Sequence, residues 1–442
     1  MQQADLLIFP EWLFTAHPSE NSPYGECHSD YGVAVKDGQI VAIAPSNEIK
    51  AQWQSDNSET HPGKILLPGF VNTHCHSAMT LLRGIANDLP LMEWLEGHIW
   101  PAEGTHVNKQ FVYDGTLLAA AEMLRCGTTC FNDMYFFPEA TLKAGLQAGM
   151  RTSAGIIAID FPSAYAQSPR EYLDKGLDTL SRYKDKPNAK MMLAPHAPYT
   201  VGDELFAEIA ALSTEHDLGI HVHLHETAFE VASAVDQNGK RPFQRLLDLG
   251  VLNSKTLAVH MTQLTDDEIQ QCSDLGVNVA HCPESNLKLA SGFSPTTALT
   301  RAGANVCIGT DGAASNNDLD ILSELRSASL LAKAQSQDAT ALNAAQTLQM
   351  ATYNGAKAIG WEDKTGSLHL GKSADMQLID LNRLETQPCY DPVAQVVYSA
   401  SRDQITDVWC RGEALMRDRT LKTLNEAELL ATANAWHEKI RA

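Results

Sequence analysis

Two histidines separated by one residue, His74 and His76, have the spacing of a metal-binding pair. They end the stretch Pro68-Gly69-Phe70-Val71-Asn72-Thr73-His74-Cys75-His76, which follows the apolar run 65–67. The Pro-Gly pair marks the entry to a strand, and side chains at i and i+2 of a strand share a face. Both imidazoles therefore point the same way and form half of a site for zinc or a related divalent ion. From this pair alone, two hydrogen-bonded histidines in a polar crevice are an equal alternative.

Further residues that bind metals or carry protons follow other apolar, strand-like runs. They are His196, His223 with Glu226, His260 and Asp311. In the run 220–226, three histidines alternate (His221, His223 and His225), and we expect one of them to be a ligand and the others to be packed or hydrogen-bonded. Three histidines and a carboxylate can hold a divalent ion that lowers the pKa of a water. Glu226 and Asp311 are the candidates for moving the proton.

The elements that must position these residues alternate between strand and helix patterns. Eight candidate strands, separated by helical runs such as 111–126, are 69–76, 127–134, 153–158, 191–196, 220–226, 256–260, 277–281 and 306–311. Eight such units predict a closed (β/α)8 barrel rather than an open doubly wound sheet. No glycine-rich phosphate fingerprint follows the first strand, which also disfavours a dinucleotide-binding fold. In a barrel, the carboxyl ends of all strands meet at one face, and this would bring the candidate residues together.

The two ends of the chain read as short strands that cannot form a core separately. Residues 31–35 and 40–43 predict a hairpin joined by the turn 36–39, while 371–380, 396–398 and 408–413 predict strands near the other end. We therefore expect a small β-sandwich built from both chain ends, with the barrel inserted between them. The expected boundaries are 1–67 for its first half, 68–366 for the barrel, and 367–442 for its second half plus a terminal helix.

Composition excludes some classes of partner. A net charge of −21 and a pI near 5.1 disfavour nucleic acid and anionic membranes as partners. Nine cysteines without a CxxC pair suit a reducing compartment. Because the first residues also lack a signal-peptide pattern and no run reaches transmembrane length, we expect a cytoplasmic protein that acts on a small molecule. We also expect it to form a homo-oligomer.

The ordered set of motifs resembles the amidohydrolase superfamily, and within it the branch of triazine hydrolases and heterocycle deaminases. The resemblance is greatest to deaminases of 5′-methylthioadenosine and S-adenosylhomocysteine. It extends over nearly the whole chain. The motifs that carry it are Asn72–Ser77, Leu82–Gly84, Trp94-Leu95, Ile99–Glu103, Ala194–Tyr199, His223–Thr227, His281–Asn286 and Gly309–Gly312.

This resemblance implies a role for each site residue. The implied metal ligands are His74, His76, His223 and Asp311. Glu226 would protonate the ring nitrogen beside the attacked carbon, Asp311 would take the proton of the attacking water, and His260 would orient that water. Glu103 and His196 would contact the ribose and base of a nucleoside. Because His196 stands where two-metal relatives carry a carbamylated lysine, we expect one ion, and the ligand types favour zinc.

The sequence thus predicts a metal-dependent hydrolytic deaminase of adenine nucleosides. The substrates considered are 5′-methylthioadenosine, S-adenosylhomocysteine and adenosine, with ammonia and an inosine-type product released. One alternative is an aminohydrolase of another heterocycle, such as guanine, cytosine or a triazine, for which a ribose-binding Glu103 would be useless. The other is a non-catalytic binding protein on the same fold, against which Glu226 and Asp311 argue. The zinc deaminases of the PCxxC type are excluded because that motif is missing.

Overall fold

Eight parallel strands with helices between them make up the larger sheet of this protein. The structure is a computed structural model that describes residues 1–442. The strands pair in chain order, so each is hydrogen-bonded to the next. The eight strands are Phe70–Cys75, Thr128–Asp133, Arg151–Ala158, Ala189–Pro195, Ile220–Leu224, Thr256–His260, Asn278–His281 and Asn305–Ile308. We call them barrel strands one to eight.

Hydrogen bonds just beyond the last strand bring it back to the first. The backbone N–H groups of Thr310 and Asp311 both donate to the carbonyl of His74, at 3.1 and 3.0 Å. The Thr73 hydroxyl also donates to the carbonyl of Ile308 at 2.8 Å. These bonds bring the sheet close to full closure, and the predicted (β/α)8 architecture is confirmed.

Capping threonines mark the start of two helices, one after the fifth and one after the sixth barrel strand. Thr227 caps the helix Ala228–Asn238, and Thr265 caps Asp266–Leu275 in a capping box with Glu268. The helical segments from the first to the last barrel strand are Ser77–Leu82, Leu91–Trp94, Leu95–Ile99, Trp100–His106, Lys109–Arg125, Pro138–Gln147, Pro169–Tyr183, Asp203–His216, Ala228–Asn238, Pro242–Asp248, Asp266–Leu275, Pro283–Lys288 and Thr296–Ala302. The helical segments before the first or after the last barrel strand are Ser46–Gln52, Ile321–Ser336, Ala344–Met350, Tyr353–Ala358, Leu384–Thr386, Pro392–Tyr398, Arg402–Gln404 and Glu426–Arg441.

Both chain ends contribute to one β-structure, as predicted, and it is a mixed sheet of nine strands. The N-terminal and C-terminal parts join where Met376–Asp380 pairs antiparallel with Ser58–Pro68, with Met376 opposite Pro68. Apolar side chains from both ends, including Ile8, Leu378 and Trp409, share one buried cluster. The nine strands are Leu6–Phe14, Cys27–Ser29, Tyr31–Lys36, Gln39–Pro45, Ser58–Pro68, Met376–Asp380, Ile405–Cys410, Glu413–Arg417 and Thr420–Leu421. A separate short pair joins Gln2–Gln3 to Trp53–Gln54.

One predicted strand is a helix. Residues 396–398 lie in the helix Pro392–Tyr398, whose N-cap Asp391 accepts hydrogen bonds from the N–H groups of Val393 and Ala394. A short apolar run does not distinguish a strand from a buried helix turn. Here the Asp-Pro pair just before the run starts the helix, since proline fits the first helical position and aspartate caps it.

Packing divides the chain into two compact units. One consists of residues 1–71, 122–130 and 320–424, and the other of 72–121, 131–319 and 425–442. The predicted site residues all belong to the second unit. No helix of the chain has the length and apolar character needed to cross a membrane. The boundaries expected at residues 67 and 366 stay a prediction.

Candidate metal centre and substrate cavity

Four potential metal ligands converge at the carboxyl end of the barrel. They are His74, His76, His223 and Asp311, whose donor atoms all lie within 4.8 Å of one another. The Nε2 atoms of His74 and His76 are each 3.2 Å from Asp311 Oδ1, and the Nε2 atoms of His223 and His74 are 3.3 Å apart. Three imidazoles and one carboxylate form a donor set that suits zinc and similar divalent ions.

Backbone carbonyls orient two of the three histidines of this cluster. The Nδ1–H of His76 donates to the carbonyl of Met134 at 2.6 Å, and that of His223 donates to the carbonyl of His196 at 2.8 Å. Each bond holds a proton on Nδ1 and turns Nε2 towards the cluster. This is the usual arrangement that prepares a histidine for a metal ion.

The third histidine of this cluster has another histidine as its partner. His74 Nδ1 lies 2.8 Å from Nε2 of His221, and both rings are fully buried. When Nε2 of His74 faces the cluster as an acceptor, its Nδ1–H donates to His221. The other ring nitrogen of His221 lies 3.0 Å from the amide nitrogen of Asn132. His221 therefore orients the ring of His74 and does not itself face the cluster.

Asp311 is held in a strained conformation by several hydrogen bonds. Its φ of 63° lies in the left-handed region, which is uncommon for a residue other than glycine. The hydroxyls of Ser285 and Ser315 donate to Oδ2 at 2.6 and 2.9 Å, and the N–H of Gly312 donates to Oδ1 at 2.8 Å. Strain of this kind persists where the surroundings over-determine a residue, and it is concentrated at functional sites.

The electrostatics of the cluster fit a cation. Burial lowers the pKa of His74 to about 4 and that of His223 well below its usual value, so both are neutral imidazoles with free lone pairs. Burial would also lower the pKa of His76, but the hydrogen bonds that His76 donates to Asp311 and Met134, together with the negative charge of Asp311, raise this pKa to about 9. Burial would raise the pKa of Asp311, but the adjacent His74 and His76 rings hold it well below its usual range. The cluster thus already stabilises positive charge beside a carboxylate, and its residues fit a divalent ion.

Two candidate proton carriers stand beside the cluster. Glu226 follows the fifth strand, and burial raises the pKa of its carboxyl group. Its Oε2 lies 3.8 Å from Nε2 of His260, whose Nδ1 is bonded to Oδ1 of Asn286 at 2.9 Å. His260 also has a left-handed φ, of 74°. Burial therefore favours the protonated form of Glu226, and Asn286 fixes the orientation of the His260 ring.

Glu103 reaches the same cavity from outside the strands. It lies in the helix Trp100–His106, and its Oε1 accepts a hydrogen bond from the Tyr135 hydroxyl at 2.6 Å. Burial raises the pKa of Glu103 to about 7, against the opposing effect of the Tyr135 bond. The tyrosine occupies one carboxylate oxygen and leaves the other available to a ligand.

One cavity of about 290 Å³ contains these groups. Its polar end is formed by residues at the strand ends: His76, His196, His223, Glu226, His260 and Asp311. Its apolar wall consists mainly of Trp94, Leu95, Ile99, Trp100, Ile157, Ile159 and Phe161. A mostly apolar pocket with a few convergent polar groups is typical of a small-molecule site.

Comparison with known proteins decides the family. The model of the Amidohydrolase family matches residues 65–415. The chain belongs to the amidohydrolase family.

Relatives of this amidohydrolase match it over nearly their full length. A 5-methylthioadenosine/S-adenosylhomocysteine deaminase of Teredinibacter turnerae is 47% identical over 420 residues, 95% of each chain. A 5′-deoxyadenosine deaminase of Methanosarcina mazei is 40% identical over 441 residues, 99% of each chain. The crystal structure of an adenosine deaminase from Xanthomonas campestris, with bound zinc, has 47% identity and a TM-score of 0.97, covering 100% of this chain and 99% of that one.

The structure brings together the residues singled out in the sequence of this amidohydrolase, with one difference on the fifth strand. His225 does not share a face with His221 and His223, because the strand ends at Leu224 and His225 has a φ of 53°. Its Nε2 instead accepts the N–H of Phe243 at 3.0 Å. His196 borders the cavity, and its Nδ1 is bonded to the Thr200 hydroxyl.

Several supporting residues were not found from the sequence. Tyr135 stands two residues beyond Asp133, at the end of the second strand, which was a signal that it faces the barrel mouth. Ser285 and Asn286 lie within the motif His281–Asn286, but nothing in the sequence indicated that they would hold Asp311 and His260. Their roles depend on contacts between elements that are distant in the chain.

Proposed function

We propose that this amidohydrolase is a metal-dependent deaminase of adenine nucleosides, which releases ammonia and an inosine-type product. The observation that carries the proposal is the set of residues that line one cavity. A four-ligand cluster with Glu226 and His260 lies at its polar end, and Glu103, a carboxylate suited to a ribose diol, stands among apolar residues. The full-length relatives named for deamination of adenosine derivatives support the same substrate class.

In this proposal His74, His76, His223 and Asp311 hold one divalent ion, with zinc as the expected metal. Their donor types and mutual distances support this assignment. The bound ion would supply Lewis acidity that makes a water nucleophilic at neutral pH.

The chain's own residues provide the proton transfers. Protonated Glu226, with its raised pKa, donates to the ring nitrogen next to C6 as water adds to that carbon. Asp311 accepts the proton that the water loses, and His260 orients the water through its ring, which Asn286 fixes. The amino group then takes the proton held by Asp311, the C6–N bond breaks and ammonia leaves. The proton of the new C6 hydroxyl returns to Glu226 as the C6 carbonyl of the product forms.

Two further residues bind the substrate in this proposal. The free oxygen of Glu103 accepts hydrogen bonds from the ribose hydroxyls, because Tyr135 already occupies the other oxygen. His196 contacts the base. Burial lowers the pKa of His196 to about 3, so its ring is neutral and can take part in hydrogen bonds without adding charge.

The test is ammonia release by zinc-loaded protein from a panel of compounds. We expect release from 5′-methylthioadenosine, 5′-deoxyadenosine and adenosine, and none from guanine, cytosine or a triazine. Activity on the free heterocycles alone would replace the nucleoside assignment with that of another aminohydrolase. No ammonia from any compound, by protein whose zinc content is verified, would contradict the deaminase proposal.

A further inference from the structure

The turn that carries Glu226 is bonded on all sides by side chains and backbone from neighbouring elements. The carboxylate of Glu230, from the helix Ala228–Asn238, accepts the backbone N–H of His225 at 3.1 Å and that of Glu226 at 2.7 Å. On the carbonyl side, the N–H of Thr262 donates to His225 O at 2.9 Å, and its hydroxyl donates to Glu226 O at 2.7 Å. All four backbone polar groups of these two residues are thus fixed by Glu230 and Thr262.

The turn needs such support because its conformation is strained. His225 has a φ of 53°, and the chain from which Thr262 projects has left-handed φ values of 74° at His260 and 51° at Met261. Left-handed non-glycine residues persist where surrounding contacts compensate for their cost. The ring of His225 is anchored as well, by the N–H of Phe243. The direction of the Glu226 side chain is therefore set by contacts outside its own strand.

Glu230 is an unusual residue for this task. It is 8% exposed, and a buried carboxylate is costly unless hydrogen bonds compensate for the lost solvation. It occupies the third position of its helix, where the Thr227 hydroxyl accepts its backbone N–H at 3.1 Å. A glutamate at this position commonly reaches back to the N-cap residue, but here it reaches one and two residues further, to Glu226 and His225.

We infer that Glu230 and Thr262 are positioning residues for the proton transfer by Glu226. The inference rests on the proposed deaminase function for its kinetic consequence. Glu230 holds the two N–H groups of the turn, Thr262 holds the two carbonyls, and together they keep the Glu226 carboxyl directed at the reacting ring. A displacement of about 1 Å at such a group can cost on the order of a hundredfold in rate.

The next helix offers a matched control. Glu268 is also a third-position glutamate, is 6% exposed, and stands in a helix capped by a threonine, Thr265. Its carboxylate, however, bonds the N–H of Thr265 at 2.8 Å and Nε of Arg241 at 2.7 Å. Its closest ion-pair approach to the turn is 3.9 Å, from Oε2 to His225 Nδ1, which is beyond hydrogen-bond length.

The first measurement is hydrogen exchange of zinc-loaded protein, read by mass spectrometry on peptides covering residues 220–231. In Glu230→Gln the new amide can accept one N–H but presents its own NH₂ to the other. We expect the amides of His225 and Glu226 to exchange about tenfold faster or more. Glu268→Gln should leave this peptide unchanged. Unaltered exchange in Glu230→Gln would contradict the role of Glu230 in holding the turn, and this measurement does not depend on activity.

The second measurement separates kcat from KM with 5′-methylthioadenosine. Glu230→Gln and Thr262→Val should lower kcat roughly tenfold to a hundredfold while KM stays within about twofold and zinc content is unchanged. Thr262→Ser, which keeps the hydroxyl, should restore kcat, and Glu268→Gln should match the wild type. A wild-type kcat in Glu230→Gln despite faster exchange would remove the positioning role. If the wild type released no ammonia, the proposed function would fail. Hydrogen exchange would still show whether Glu230 holds the turn that carries Glu226.

Discussion

The polar end and the apolar wall of the cavity are built in different ways. The polar side chains project from the ends of barrel strands or from the residues just beyond them, as His76 and Asp311 do. Much of the apolar wall comes from the helical segment 91–106 and the loop after the third strand, including Trp94, Ile99 and Phe161. The chemistry thus depends on the rigid frame of the sheet, and the shape of the cavity depends on connecting segments.

Hydrogen bonding differs between the two regions as well. At the polar end several ionisable groups have fixed hydrogen-bond partners, such as Ser285 and Ser315 on Asp311. At the wall, shape comes from packed rings and aliphatic chains, and Glu103 with its partner Tyr135 is the exception. Substitutions at the polar end should therefore change turnover, and substitutions near Glu103 should change substrate affinity and choice.

The largest effect is expected at Glu226. Glu226→Gln keeps the shape of the side chain but cannot deliver a proton, so kcat should fall about a hundred- to ten-thousandfold. Zinc content by elemental analysis should be unchanged, since Glu226 is not among the four clustered ligands. Asp311→Asn is the contrasting variant and should lose both zinc and rate. Near-normal turnover in Glu226→Gln would exclude it from the proton transfer.

These two regions also differ in how far the sequence predicted them. The eight strands and the residues at their ends followed from repeated apolar runs, because strand ends of a barrel meet at one face. The HxH pair needed only the two-residue period of a strand. His225 departs from that period because its left-handed φ ends the strand early, and no residue type in the sequence marked this.

Contacts between distant segments account for what the sequence did not predict. The hydrogen bond from the Glu226 N–H to Glu230 depends on how the helix Ala228–Asn238 packs against the end of the fifth strand. The bond from Tyr135 to Glu103 joins residues 32 positions apart through tertiary structure. The helix at 392–398, in contrast, was predictable from its Asp-Pro start, whereas its apolar run alone also fits a strand.

A smaller effect is expected at Glu103, on affinity. Glu103→Ala should raise KM for 5′-methylthioadenosine about tenfold, the lower end of the roughly 1.5–3 kcal/mol typical of a hydrogen bond to a charged group, since Glu103 is partly exposed. The preference for nucleosides over free bases should weaken. Tyr135→Phe, which removes only the partner hydroxyl, should have a milder effect in the same direction. An unchanged preference in Glu103→Ala would mean that the ribose is held elsewhere.

The pH dependence of KM should report the ionisation of Glu103. Because burial raises the pKa of Glu103 to about 7, its ionised fraction rises from about a tenth at pH 6 to about nine-tenths at pH 8. Ribose hydroxyls bind the ionised form best, so KM should fall up to about ninefold across this range. Glu103→Gln cannot titrate and should give a nearly flat profile. Equal profiles for the two proteins would assign the pH dependence to another group.

The smallest predicted effect concerns the 5′ substituent, which would lie along the apolar wall. S-Adenosylhomocysteine carries an amino-acid tail with a carboxylate, whereas 5′-methylthioadenosine ends in a methyl thioether. The residues that line the cavity include Glu103, Glu226 and Asp311 but neither lysine nor arginine. Enclosing a carboxylate among these groups would be costly, because it would lose solvation without gaining a cation.

Arg151 and Arg170, the arginines before and after the third strand's apolar run, do not line the cavity. Arg170 is 69% exposed and pairs with Asp174 at 2.8 Å and Glu208 at 3.1 Å, and Arg151 begins the third strand, at the opposite end from the cavity. We therefore expect kcat/KM to be severalfold to about tenfold higher for 5′-methylthioadenosine than for S-adenosylhomocysteine, with adenosine between them or close to the former. Arg170→Ala should leave this ratio unchanged. A higher kcat/KM for S-adenosylhomocysteine that is lost in Arg170→Ala would contradict this expectation. It would show that Arg170 leaves its surface partners to bind the carboxylate of the tail. The choice of substrate would then depend on a mobile cation and not on the fixed apolar wall.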